Sequence, residues 1–116
     1  MENSEDQEKR KYFRIDASYV VSYRARKVSP DYNISQTKNI SQGGAVFTTN
    51  RAFVKGMFIT LVMKLPFLPG EKLKVEAEVV DSKKLGENLY DTRVKFIGLS
   101  EDLLQKFGKF IEKNKP

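Results

Sequence analysis

A chain of 116 residues is the length of one domain and leaves no room for a second. Forty per cent of its residues are apolar and 31% charged, enough for one compact core and too mixed for a disordered chain. Cysteine and histidine are both absent, which excludes disulfides, thiolate metal sites, Ser-His-Asp and Cys-His catalysis, zinc fingers and haem ligation by histidine. No apolar run approaches the ~20 residues of a membrane helix. The longest, Met57 to Leu65, is strand-length and broken by Thr60 and Lys64. The acidic, polar N-terminus is not a signal peptide, so a soluble cytoplasmic protein with no membrane partner is expected.

The net charge of +6 favours an anionic partner, and it is unevenly placed. Residues 1–8 carry four acids (Glu2, Glu5, Asp6, Glu8) and no base; residues 9–27 carry seven bases and one acid, Asp16. A solvated face and a frayed tail would look the same, so the segment gains meaning only from its neighbours. We read residues 1–8 as a flexible acidic tail.

Tyr19, Val21, Tyr23 and Ala25 alternate with polar residues, the period of a strand with one face buried. Ile34 to Ile40 predicts a weaker strand, and Ala45 to Thr49 a short third, entered from Gly43-Gly44. Met57 to Leu65 predicts a more buried strand, stopped by Pro66 and the Pro69-Gly70 turn. Leu73, Val75, Ala77 and Val79 against Lys72, Lys74, Glu76 and Glu78 give the cleanest alternation in the chain. A glycine-containing turn over Leu85 to Asn88 leads to a strand with Thr92, Val94 and Phe96 on one face. From Ser100, a natural N-cap, the period becomes helical through Leu103, Leu104, Phe107, Phe110 and Ile111. Gly108 weakens that helix by about 1 kcal/mol relative to alanine, so docking must stabilise it. The fold class is all-β with a terminal helix: a six-stranded antiparallel barrel over about residues 17–98, with a C-terminal α-helix at about 101–113 packed against it.

Two short patterns stand out: the RxxxR of Arg10-Lys11-Tyr12-Phe13-Arg14, and the NxSxxG of Asn39-Ile40-Ser41-Gln42-Gly43-Gly44. The second also describes an ordinary Asx-type turn, with Asn39 and Ser41 bonded to local backbone. Their order carries more than either alone: RxxxR, a strand, the polar turn, four more strands and a helix. The order resembles the PilZ domain, a bacterial receptor module for the second messenger cyclic di-GMP. The likeness extends to Leu65-Pro66 and Pro69-Gly70 ahead of a Leu-x-Val strand, and to Val94-Lys95-Phe96 running into Leu99-Ser100. It covers about residues 9–113.

The resemblance implies phosphate and guanine contacts for Arg10 and Arg14 on an arm of residues 9–14. It likewise implies guanine hydrogen bonds from Asn39 and Ser41, and close backbone approach at Gly44, which lacks a Cβ. Lys9, Lys11, Gly43 and Arg93 are further candidate contacts. The chemistry suits two phosphates and two guanines: a guanidinium can clamp a phosphate, pair with guanine O6 and N7, or stack on a base. Asn39 stands where many members have Asp, offering one acceptor oxygen in place of two. Arg93 stands where glycine is common, and reads first as a surface strand residue.

The resulting expectation is a non-enzymatic cyclic di-GMP receptor with no other cofactor and no metal, which signals to an unidentified effector protein by ordering its N-terminal arm. A PilZ-like docking module that binds no nucleotide is the alternative, and such members typically lack one or both motifs. A nucleic-acid-binding barrel would use Tyr12, Phe13, Tyr19 and Tyr23 beside the basic segment, but the alternation places Tyr19 and Tyr23 in the core, which makes nucleic acid an unfavoured partner.

Overall fold

The computed structural model describes residues 14–68 and 70–114. The acidic tail, Lys9, Arg10, Lys11 and Pro69 lie outside those residues. Seven strands are formed among the described residues: β1 (Arg14–Asp16), β2 (Val20–Arg24), β3 (Asn33–Ser41), β4 (Gly44–Thr49), β5 (Phe58–Met63), β6 (Leu73–Gly86) and β7 (Leu89–Ile97). One helix, α1 (Glu101–Lys113), follows them. All pairings are antiparallel, in the order β1-β3-β2-β5-β6-β7-β4, and an additional β3–β4 pairing closes β2 to β7 into a six-stranded barrel.

The seventh strand is the short β1. It lies on the same side of β3 as β2, with Arg14 opposite Ser41 and Asp16 opposite Asn39. Between β1 and β2 the chain stays bound to β3: Thr37 Oγ1 donates to the Ala17 carbonyl at 2.6 Å and accepts from the Tyr19 amide at 2.9 Å. Among the described residues the sheet therefore begins at Arg14, three residues ahead of the start expected from periodicity and inside the segment read as an arm.

The second difference is β6. The alternation of Leu73 to Val79 ends where expected, but the strand runs on to Gly86 through a bulge between Val79 and Asp81. Beyond the bulge its residues are exposed or half-buried, so backbone pairing with β7 sustains the strand. The hairpin tip is only Glu87 and Asn88, with Asn88 at φ 56°, a left-handed conformation that asparagine tolerates.

The inward faces carry Val21, Tyr23, Ile40, Phe47, Ile59, Leu61, Val75, Val79 and Val94 into one core. The β4–β5 connection crosses one end of the barrel and inserts Phe53, whose ring meets Tyr23 edge-on at 6.1 Å. The helix closes the other end. Phe107 and Ile111 are buried, Leu103 and Phe110 pack at the margin, and rings of Phe67 and Phe96 meet Phe107 at 4.9 and 5.8 Å. As expected, Ser100 caps the helix, its Oγ accepting from the Leu103 amide at 3.2 Å. Tyr23 is a core residue and Tyr19 packs against Phe110, at 6.0 Å between rings, so neither is a stacking platform.

Tyr23 gives the barrel a pH dependence. Burial pushes its phenol above the ordinary tyrosine pKa, against the opposing pulls of the Asn50 backbone and the Arg51 charge. The unfolded chain then loses this proton first, so the stabilisation is complete below about pH 10 and declines as pH rises further. Denaturant melts between about pH 9 and 11 will show a falling midpoint, less steep in Tyr23→Phe.

Gly44 predicts a larger effect. A Cβ there would lie 2.0 Å from the Val94 carbonyl oxygen on β7. Gly44→Ala must force β4 and β7 apart, at a cost of about 2–3 kcal/mol and a melting temperature lower by roughly 10 °C or more. Thermal denaturation followed by circular dichroism measures it.

Candidate functional site

Strand register lays the site out as rows of outward side chains at the end of the barrel that α1 closes. One row runs Arg14, Ser41, Gly44, Lys95 and Glu78 across β1, β3, β4, β7 and β6; the Ser41–Gly44 step is the β3–β4 turn itself. The next runs Asp16, Asn39, Val46, Arg93 and Asp81. Arg14, the last residue of RxxxR, and the NxSxxG turn, 25 residues apart from Arg14 to Asn39 in the sequence, thus meet on one wall.

The turn between β3 and β4 shows why these residues are used locally. Ser41 is buried, and its Oγ accepts from the amides of Gly43 at 3.1 Å and Gly44 at 3.2 Å. The Gly43 carbonyl accepts from the Phe96 amide at 2.8 Å, tying the turn to β7. Gly44 leaves room for the Val94 carbonyl, so its missing Cβ serves strand closure. Gln42 was not singled out by its sequence. Its Nε2 donates to the Leu104 carbonyl of α1 at 2.6 Å, and a Cβ at Gly108 would come within 2.8 Å of that nitrogen. The glycine that weakens the helix is therefore what lets the turn bind it.

Asn39 behaves differently from Ser41. Its Oδ1 is buried with no hydrogen-bond partner among the described residues, and the Nε of Arg93 is in the same state. Between them Val46 faces the outer wall, outside the core cluster, yet is only 6% exposed. With strands about 4.8 Å apart, Asn39 and Arg93 stand about 10 Å apart. The neighbouring lysines are neutralised, Lys38 by Asp91 at 2.7 Å and Lys95 by Glu78 at 3.6 Å, whereas Arg93 makes no ion pair among the described residues. A buried acceptor and a buried donor thus stand without hydrogen-bond partners among the described residues. An unmade hydrogen bond of this kind costs about 1–3 kcal/mol, so a ligand that completes both gains affinity. Among the described residues no cluster of acidic side chains could hold a metal ion, and no helix is long and apolar enough to cross a membrane.

Asp16, Gln42 and Val46 are the wall residues that sequence reasoning missed. Their positions depend on register and on the turn's reach to α1, for which the sequence carries no local signal.

Solved structures share this architecture. MotI/DgrA, the inhibitor of motility of Bacillus subtilis, superposes with a TM-score of 0.76 at 18% identity, over 90% of this chain and 50% of that one. The PilZ domain of YcgR from Escherichia coli, solved with cyclic di-GMP, matches with a TM-score of 0.66 at 16% identity over 90% of each chain. The complex of K. pneumonia MrkH with cyclic di-GMP matches at 0.68 and 15% identity, over 90% of this chain and 51% of that one. The chain thus spans about half the length of MotI and MrkH. None of the curated protein sequences matches it. At these identities the likeness is one of fold, but the sequence model of the PilZ domain matches residues 8–113 directly. That match takes in both motifs, the whole barrel and the helix that closes it: the chain belongs to the PilZ domain family.

Proposed function

We propose that this PilZ domain is a cyclic di-GMP receptor that binds the messenger on the wall carrying Arg14, Asn39 and Ser41 and relays its presence to an effector protein. A PilZ domain is a receptor and adaptor module, not an enzyme. The observation that carries the reading is the Arg14–Ser41 pairing, which puts one end of RxxxR directly beside NxSxxG. The YcgR domain and MrkH, which share the fold, were solved with the same messenger.

Each group has a task suited to its chemistry. Asn39 Oδ1 accepts from guanine N1–H or N2–H, the donors its unfilled lone pairs lack. Ser41 turns its hydroxyl proton from the Gly44 carbonyl, 3.4 Å away, toward the base while its oxygen keeps the Gly43 and Gly44 amides. Gly43 and Gly44 hold the turn flat against β7. Arg14, fixed in β1, takes a phosphate or a guanine edge, and binding brings Arg10, with Lys9 and Lys11, onto the same wall. Arg93 lies at the far side, available to the same ligand. Drawing residues 9–13 onto the wall changes the surface an effector meets, which is the relay.

Calorimetric titration with cyclic di-GMP tests the reading. Wild type binds, and Arg10→Ala, Arg14→Ala and Asn39→Ala each weaken binding about tenfold or more, the value of a charge-assisted or buried hydrogen bond. Ser41→Ala weakens binding and lowers the melting temperature, because the same oxygen holds the turn. A folded wild type that binds no cyclic di-GMP overturns the receptor reading in favour of a nucleotide-independent docking module.

The acids Glu2, Glu5, Asp6 and Glu8 compete with the ligand phosphates for the arginines. Deleting residues 2–8 will tighten binding at low salt and have little effect at high salt, where exposed charges are screened within about 8 Å or less. Equal affinities at low salt would remove the tail from the mechanism.

A further inference from the structure

A second concave surface lies beyond the motif rows and borders them where Phe58 of β5 pairs with Glu78 of β6. A groove of about 500 Å³ opens between the end of β2, the β4–β5 connection and the outer faces of β5 and β6. Arg24, Arg26 and Lys27 line it together with Val54, Met57 and Phe58. Val54 is 70% and Phe58 61% exposed, so the apolar part is open to solvent.

The cations are set for use. None of the three makes an ion pair among the described residues. Arg24 is held in place, its guanidinium 4.6 Å from the centre of the Tyr32 ring and its Nη1 donating to the Pro30 carbonyl at 3.5 Å. Its Nε is buried without a hydrogen-bond partner. Glu76, the acid in the groove, is occupied by the hydroxyl of Thr60 at 2.7 Å and is not set against the arginine.

We propose that this groove is a docking surface for a partner protein, and that its occupant is an acidic segment with apolar side chains spaced between its carboxylates. Guanidinium groups bind carboxylates in a fork, and Arg24 and Arg26 both line the groove. Val54 and Phe58 need an apolar cover that a phosphate polymer does not offer, and exposed apolar residues rimmed by charge mark interaction sites. Of the apolar residues lining it, only Phe58 offers a base a stacking face, and Val54 and Met57 offer none. Glu76 repels an evenly charged polyanion but leaves room for an irregularly acidic peptide. The groove stands independently of the messenger reading. Its cationic side, at the Arg24 end of β2, lies away from Ser41, and it borders the motif row where Phe58 pairs with Glu78.

The test is fluorescence anisotropy on the full chain, with a short labelled peptide of Glu, Asp, Phe and Leu as probe. Wild type binds it. The double variant Arg26→Glu with Lys27→Glu, and separately Phe58→Ser, each lose about tenfold or more in affinity while keeping the wild-type melting temperature, since these side chains are exposed. A peptide with Gln and Asn for the acids, and one with Ser for Phe and Leu, lose as much without any change to the protein. Failure of wild type to bind the acidic peptide overturns the proposal, as does undiminished binding by both protein variants. Tighter binding to a single-stranded oligonucleotide or to anionic phosphatidylserine vesicles through the same residues would also overturn it, assigning the groove to another class of partner.

Discussion

Closing an antiparallel barrel requires one strand to find partners on both sides within a few residues of a turn, and here that strand is β4. It leaves β3 through Gln42 and Gly43, pairs back on β3, and at once pairs with β7. Three features make this possible: the Ser41 hydroxyl that gathers two amides, the Gly43 carbonyl that receives the Phe96 amide, and the absent Cβ of Gly44. Most of the structure follows from that closure. It fixes which residues share the outer wall, where α1 can sit, and why Arg14 ends up beside Ser41.

The same turn therefore serves both the fold and the candidate site. Ser41 is committed mainly to the backbone, whereas Asn39, two residues earlier, is buried without completing its hydrogen bonds. A protein selected only for stability would fill such a vacancy or move it to the surface. Asn39, across Val46 from Arg93, is thus distinct from Ser41, which builds the turn. Gln42 extends the turn's reach to the carbonyl of Leu104, so the candidate site and the terminal helix are joined by one short bond.

Much of this was legible in the sequence, and the exceptions have physical causes. The Leu73 to Val79 strand and α1 were clear because each buries one face against a single core and so keeps a clean period. The extension of β6 to Gly86 was not, because past the bulge no face is buried and alternation has nothing to report. Nor was β1, whose one core residue is Ile15. The motifs named the candidate residues, and the Asx-type turn reading describes Ser41 well but not Asn39. The neighbours of those residues, such as Val46 and Asp16, emerge only from register. The groove joins Arg24 to Val54 and Phe58 across some thirty residues of chain, a distance no local pattern spans.

The short first strand has a consequence for how copies of this protein behave toward one another. A closed barrel exposes no row of unpaired amides and carbonyls, and among the described residues the open edge left is that of β1, three residues long. That edge carries Arg14 and Asp16, so a second chain adding itself by strand pairing would gain few backbone bonds and meet charge at both ends. Among the described residues, geometry alone thus makes edge-to-edge strand addition a poor bargain for a second copy.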